Sequence, residues 1–136
     1  MDKLKIKQAI VVRNDLRSKL RHGKLASQVS HASMAAFLDG MKIEPKHSSC
    51  FHLLTLEMEH ARTEWISNSF TKIILRCDDE DSILRLNDEC IKGRYPHALI
   101  TDAGRTVFQE PTITCLGIGP LPEEILYPLT GHLKLY

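Results

Sequence analysis

At 136 residues, with 43% apolar and 26% charged residues, the chain has the size and composition of one globular domain, spanning residues 1–136, rather than a disordered or multidomain protein. A formal net charge of +1 excludes a uniformly basic nucleic-acid binder. The apolar run Ala9 to Val12 is too short for a signal-peptide core, and Ala26 to Leu38 mixes in Ser, Gln and His, so a cytoplasmic protein without membrane association is expected.

Residues 7–13 (KQAIVVR) form a short apolar run bounded by charge, the pattern of a buried strand. A polar loop, NDLRSKLRHG, follows. Leu25, Val29, Ala32, Ala36 and Phe37 then recur at helical spacing and predict a helix from Gly23 to Leu38, stopped at Gly40. A loop over 40–47 contains Pro45, and Ser48 or Ser49 is placed to cap a second helix with the stripe Phe51, Leu54, Met58, Ala61 and Trp65. Residues 71–77 (TKIILRC) read as a strand. Asp78 or Asp79 caps a third helix with Ile83, Leu86, Cys90 and Ile91 inward, ending at Gly93. HALIT (97–101) and TITCLGI (112–118) are further strands, and the ten residues between them suit an antiparallel hairpin.

The order β-α-α-β-α-β-β reads as an α/β fold: a mixed four-stranded sheet with helices on both faces. Ligands gather at the carboxyl ends of strands in such sheets. Two polar loops leave strand ends, Asn14 to Lys24 and Asp102 to Thr106, and they converge if their strands run parallel.

Cys50, Cys77, Cys90 and Cys115 are widely spaced with no CxxC pair, which favours buried free thiols over disulfides or zinc. Lys3 to Lys24 carries eight basic residues against Asp15 alone, and Asp78 to Glu89 carries six acids and one Arg. A segregated basic face can hold phosphates on a near-neutral protein; two solvated surfaces are the competing reading.

Two clusters point to chemistry. Lys24, Gln28 and His31 stand four and three residues apart, on one helical face distinct from the apolar stripe. Lys24 falls in the first turn, where the helix dipole disfavours a cation, so a nearby carboxylate or an anionic ligand is expected. A solvated polar face is the alternative. The second cluster, TDAGRT (101–106), packs Thr101, Asp102, Arg105 and Thr106 around one turn; it suits a phosphate-bearing substrate but is also ordinary turn chemistry. GIGP (117–120) is followed by Pro122 where a dinucleotide fingerprint needs glycine, and no GxSxG is present. His47, His52 and His60 lack the i,i+4 spacing of a metal-binding helix and read as surface histidines.

Together these segments resemble the type-II peptidyl-tRNA hydrolase family. The likeness rests on the opening strand with Arg13, Asp15 and Leu16, on GKLASQVSHA, and on ALITDAGRT followed by TCLGIGP and TGHLKLY. It covers about half of the chain, and residues 40–70 match poorly. The resemblance implies hydrolysis of the ester between a peptide and tRNA, with peptidyl-tRNA as partner, no metal or organic cofactor, and frequent homodimers. It implies catalytic roles for Lys24, Asp102 and Thr106, and substrate contacts from Gln28, His31, Asn14, Arg105 and Thr114. Two positions depart from the family pattern: His22 stands where members often carry a lysine, and Asn14 where a Thr is frequent. A non-catalytic RNA-binding or protein-interaction module on the same fold is the alternative.

Overall fold

The apolar run at the start becomes the central strand β1 (Ile6–Arg13), along which only the Lys7 side is partly open to solvent. A strand buried on both faces needs cover on both. Ala9 and Val11 face one apolar cluster, which contains Leu75, Ile83, Leu86, Cys90 and Leu126. Ile10 and Val12 face another, with Leu20, Ala32, Phe108 and Cys115. The computed structural model describes residues 5–46 and 50–136.

The remaining strands and α-helices among the described residues are α1 (His22–Phe37), β2 (Lys42–Pro45), β3 (His52–Thr55), α2 (His60–Glu64), β4 (Lys72–Cys77), α3 (Glu80–Gly93), β5 (His97–Asp102), β6 (Thr112–Pro122), α4 (Glu123–Thr130) and β7 (Lys134–Leu135). The main sheet is mixed, with order β5-β6-β1-β4-β7. β1 runs parallel to β4 and antiparallel to β6, which is in turn antiparallel to β5. β1 and β5 are therefore parallel, and their carboxyl ends lie at the same end of the sheet. Helix α1 covers one face, and α3 and α4 the other.

The described sheet has five strands, not the expected four. The extra strand comes from TGHLKLY, whose residues 134 and 135 pair with Arg76 and Leu75. Two residues carry no periodicity, so pattern reading passes over them.

The expected second helix is the larger correction. Lys42–Pro45 and His52–Thr55 instead pair as the antiparallel strands β2 and β3, with Ile43 opposite Leu54 and Glu44 opposite Leu53. Helix appears only over His60–Glu64, followed by a wide turn at Trp65–Ser69. The observed order is thus β-α-β-β-α-β-α-β-β-α-β. Of the stripe proposed for that helix, Ala61 and Trp65 are buried, whereas Phe51, Leu54 and Met58 are exposed. Without a core to cover, helical spacing has no hold on the chain. The expected caps at Ser48 and Ser49, and His47, lie outside the described residues.

Helix α1 matches its expected span to within a residue and is pinned at three places. At β6, Gly117 lets the helix approach so closely that a Cβ there would run into the Ala32 carbonyl. At β1, the buried Gln8 amide donates to Ser33 O (2.8 Å) while the Ser33 hydroxyl donates back to Gln8 Oε1 (2.5 Å). At the helix C-terminus, buried Arg62 donates to the carbonyls of Phe37 (2.9 Å), a group the helix leaves unpaired, and of Asp39 just beyond it (2.7 Å). In α3 the cap is Asp79, which accepts from Ser82 N at 2.9 Å. Ile83, Leu86 and Cys90 point inward as expected, but Ile91 is 55% exposed.

Cys77, Cys90 and Cys115 are buried free thiols, and Cys50 is exposed. Burial pushes the Cys77 thiol up to about 11 and those of Cys90 and Cys115 up to about 12, which keeps them protonated and unreactive at neutral pH.

Candidate active site

Both polar loops anticipated from the sequence leave the same end of the sheet, one after β1 and one after β5. The first leads into α1, whose first and second turns face the second. The helix presents Lys24 and Gln28 to Asp102, the last residue of β5. Lys24 Nζ lies 2.6 Å from Asp102 Oδ2 and donates to Thr106 Oγ1 at 2.8 Å. Gln28 Nε2 donates to the same Oδ2 at 3.0 Å. The carbonyl end of that amide, Oε1, accepts from Thr114 Oγ1 at 2.6 Å. Gly104, with φ of +78°, turns its backbone N–H onto Asp102 Oδ1 at 3.0 Å. A side chain at that φ would be strained, and a Cβ there would also collide with the Glu110 backbone.

The carboxylate is thus gripped on both oxygens. Its pKa is held below the usual carboxylate range, first by the Lys24 hydrogen bond, then by the Gly104 N–H, with the Lys24 charge and Gln28 adding to this; burial opposes them. The cation in the first turn of α1, out of place by the dipole rule, has found the carboxylate that rule demands.

Burial grades across the cluster. Thr114 is fully enclosed, Gln28 and Asp102 nearly so, while Lys24 is partly open and Thr106 is exposed. The unused third proton of Lys24 and the Thr106 hydroxyl therefore stand at the solvent side, above an anchored carboxylate. A water or a carbonyl oxygen arriving there meets one cation, one hydroxyl and one fixed anion.

The other expected residues sit differently. His31 is exposed one turn beyond Gln28, and Arg105 is exposed at the tip of the turn. Asn14 is not brought to the cluster. Its Oδ1 accepts from Arg17 Nε at 2.8 Å, and its outer side borders a groove with Arg76, Asp78 and His132. Thr101 is exposed on β5. Gly104 is the contributor that sequence reading missed, although Asp-x-Gly is the signal of a carboxylate turning back on its own loop. The internal bond between Thr114 and Gln28 had no sequence signal, because the two residues lie on different elements.

The basic run also divides. Lys5 and Lys7 stand at the opposite end of β1 from Lys24, Lys7 paired with Glu123 at 2.7 Å. Lys3 lies outside the described residues. Arg13 is buried and bound to Asp15 (2.7 Å) and Glu80 (2.9 Å). Of the described residues of the run, Arg13 ends β1, and Arg17, Lys19, Arg21 and Lys24 follow its carboxyl end. Among the described residues, no three His, Cys, Asp or Glu side chains converge as a metal site requires.

A family model described as "Peptidyl-tRNA hydrolase PTH2" matches residues 6–136. The chain belongs to this family. Among the relatives of this family member, a Methanopyrus kandleri protein named peptidyl-tRNA hydrolase is 39% identical over 95% of this chain and 97% of its own. Proteins of the same name from Haloquadratum walsbyi and Thermococcus sibiricus are each 37% identical over 96% of this chain, covering 100% and 98% of their own lengths. All three therefore correspond to the chain over almost its whole length.

Proposed function

We infer that the chain hydrolyses the ester joining a peptide, or an N-acyl-aminoacyl group, to the terminal ribose of tRNA, releasing tRNA for reuse in translation. The observation that carries this reading is the chain of contacts Thr106–Lys24–Asp102–Gln28–Thr114 at the open end of the sheet. Such an ester needs a positioned water, a cation where the oxyanion forms, and little else.

In this mechanism Lys24 is the oxyanion's partner, through its free proton and its charge. Thr106 holds the attacking water. Asp102 fixes Lys24 and the water; its depressed pKa makes it a weak base, and positioning is its role. Gln28 orients Asp102. The water adds its oxygen to the acyl carbon, and its proton ends on the departing ribose oxygen. His31 and Arg105, exposed at the rim, contact the terminal nucleotide or its phosphate. A substrate contact by Asn14 would have to share its Oδ1 with Arg17 Nε.

We place the activity in one domain spanning residues 1–136, acting in the cytoplasm, where translation supplies the substrate, and as a homodimer. No helix among the described residues is long and apolar enough to cross a membrane. The deciding experiment is a cofactor-free assay on N-acetyl-aminoacyl-tRNA with free aminoacyl-tRNA as control. Release from the first and not the second is expected; release from neither sinks the reading. A protein-interaction role is a second reading, favoured by exposed Ile43, Leu53 and Leu54 on strands β2 and β3. Partner binding that survives Lys24→Ala and Asp102→Asn would support it.

A further inference from the structure

Two cations of the loop between β1 and α1 are held against aromatic rings, as Lys72 is over Phe70 (3.3 Å) and Trp65 (4.7 Å). Lys7, Arg13, Lys24, Arg62 and Lys92 are instead each paired with a carboxylate. Inside the loop the single acid, Asp15, is occupied by Arg13 Nε (3.1 Å) and Nη2 (2.7 Å). No described carboxylate lies within ion-pair distance of Arg17, Lys19 or Arg21.

Aromatic rings take the carboxylates' place. The Arg17 guanidinium carbon sits 4.0 Å above the Tyr136 ring, and Lys19 Nζ is 5.7 Å from the centre of the Phe108 ring. A ring orients a cation through its electron-rich face without cancelling the charge, which a carboxylate would do. Each ring is itself fixed. Phe108 is buried in the α1-side core, and Tyr136 packs against the same core with its N–H on Ile74 O at 3.1 Å. Between them, Leu20 is anchored in that core and the backbone closes through Lys19 N–Leu16 O (2.9 Å) and Leu20 N–Leu16 O (2.8 Å). The Tyr136 hydroxyl is buried and has no hydrogen-bond partner among the described residues.

We propose that Arg17 and Lys19, held ready by Tyr136 and Phe108, form the surface that grips the ribose-phosphate backbone of the substrate's RNA. This rests on the hydrolase reading above, because the same loop runs directly into Lys24 and so ties an RNA strand to the ester. Arg17 and Lys19 make the contacts, and Tyr136 and Phe108 are positioning residues.

The test measures binding of deacylated tRNA across a salt series, with circular dichroism confirming the fold of each variant. The double variant Arg17→Gln, Lys19→Gln is expected to bind more weakly, with a log–log salt slope shallower by about one for each cation removed. Lys92→Gln, on the acidic helix α3, serves as the control and keeps the parent slope. Tyr136→Phe retains the ring and binds as the parent does, whereas Tyr136→Ser weakens binding. Parent affinity and slope in the double variant would overturn the proposal. Equal affinities for Tyr136→Phe and Tyr136→Ser would remove the ring from it. Deacylated tRNA has no ester, so absent hydrolysis would count against the catalytic reading without touching this one, and absent binding would do the reverse.

Discussion

Lys24 Nζ and Asp102 Oδ2 stand 2.6 Å apart, joining the first turn of α1 to the end of β5. That contact decides between two roles for Asp102. A carboxylate bound by an ammonium group, an amide and a backbone N–H is held as the anion and takes up a proton poorly, so it organises the site and does not serve as a strong base.

Removing either partner should stop turnover without unfolding the protein. Lys24→Ala and Asp102→Asn are each expected to lower kcat by about 100- to 1000-fold, the scale of a lost oxyanion partner. Hydrolysis of N-acetyl-aminoacyl-tRNA measures it. Full activity in either variant would refute the assignment.

The same contact sets a pH dependence. Because the folded pKa of Asp102 lies below its unfolded value of about 3.9, its stabilising contribution is complete above that value. The contribution is lost as pH falls through the folded pKa. Acid unfolding of Asp102→Asn should lack this component. The pH–rate profile should likewise show no Asp102 inflection near neutrality; one centred between pH 6 and 8 that vanished in Asp102→Asn would mean a raised pKa and a base after all.

Thr114 acts at one remove. Its hydroxyl fixes which end of the Gln28 amide faces Asp102. Thr114→Val would bury the Gln28 carbonyl without a donor, at a cost of about 1–3 kcal/mol. It would also free the amide to turn its oxygen toward the carboxylate. We expect lower kcat with little change in KM, an acid limb displaced upward, and recovery in Thr114→Ser. A valine variant with the parent's pH profile would reduce Thr114 to a packing role.

Gly117 tests how α1 is seated. A methyl group there would press on the Ala32 carbonyl and the Ala36 side chain, so Gly117→Ala should destabilise by about 1–3 kcal/mol or more. Since the displaced helix carries Lys24 and Gln28, activity should fall along with the urea midpoint. An unchanged midpoint would mean that the helix can shift at little cost.

The sequence by itself determined the strands β1, β4, β5 and β6, helices α1 and α3, and the two loops that carry the polar clusters. Those elements have long apolar periods or clear caps, and burial of the period is what makes them form. It did not determine the pairing of β2 with β3, because Phe51, Leu54 and Met58 keep helical spacing yet find no core to cover. Nor did it reveal β7, whose two residues are ordered only by the edge of β4. In the site, it isolated Lys24, Gln28, Asp102 and Thr106 as candidates, and only the parallel course of β1 and β5 set them within hydrogen-bond reach. The division of the basic run was equally tertiary. Lys7 and Lys24 are close in sequence, but a strand laid between them carries one away from the site while the loop and helix return the other to Asp102.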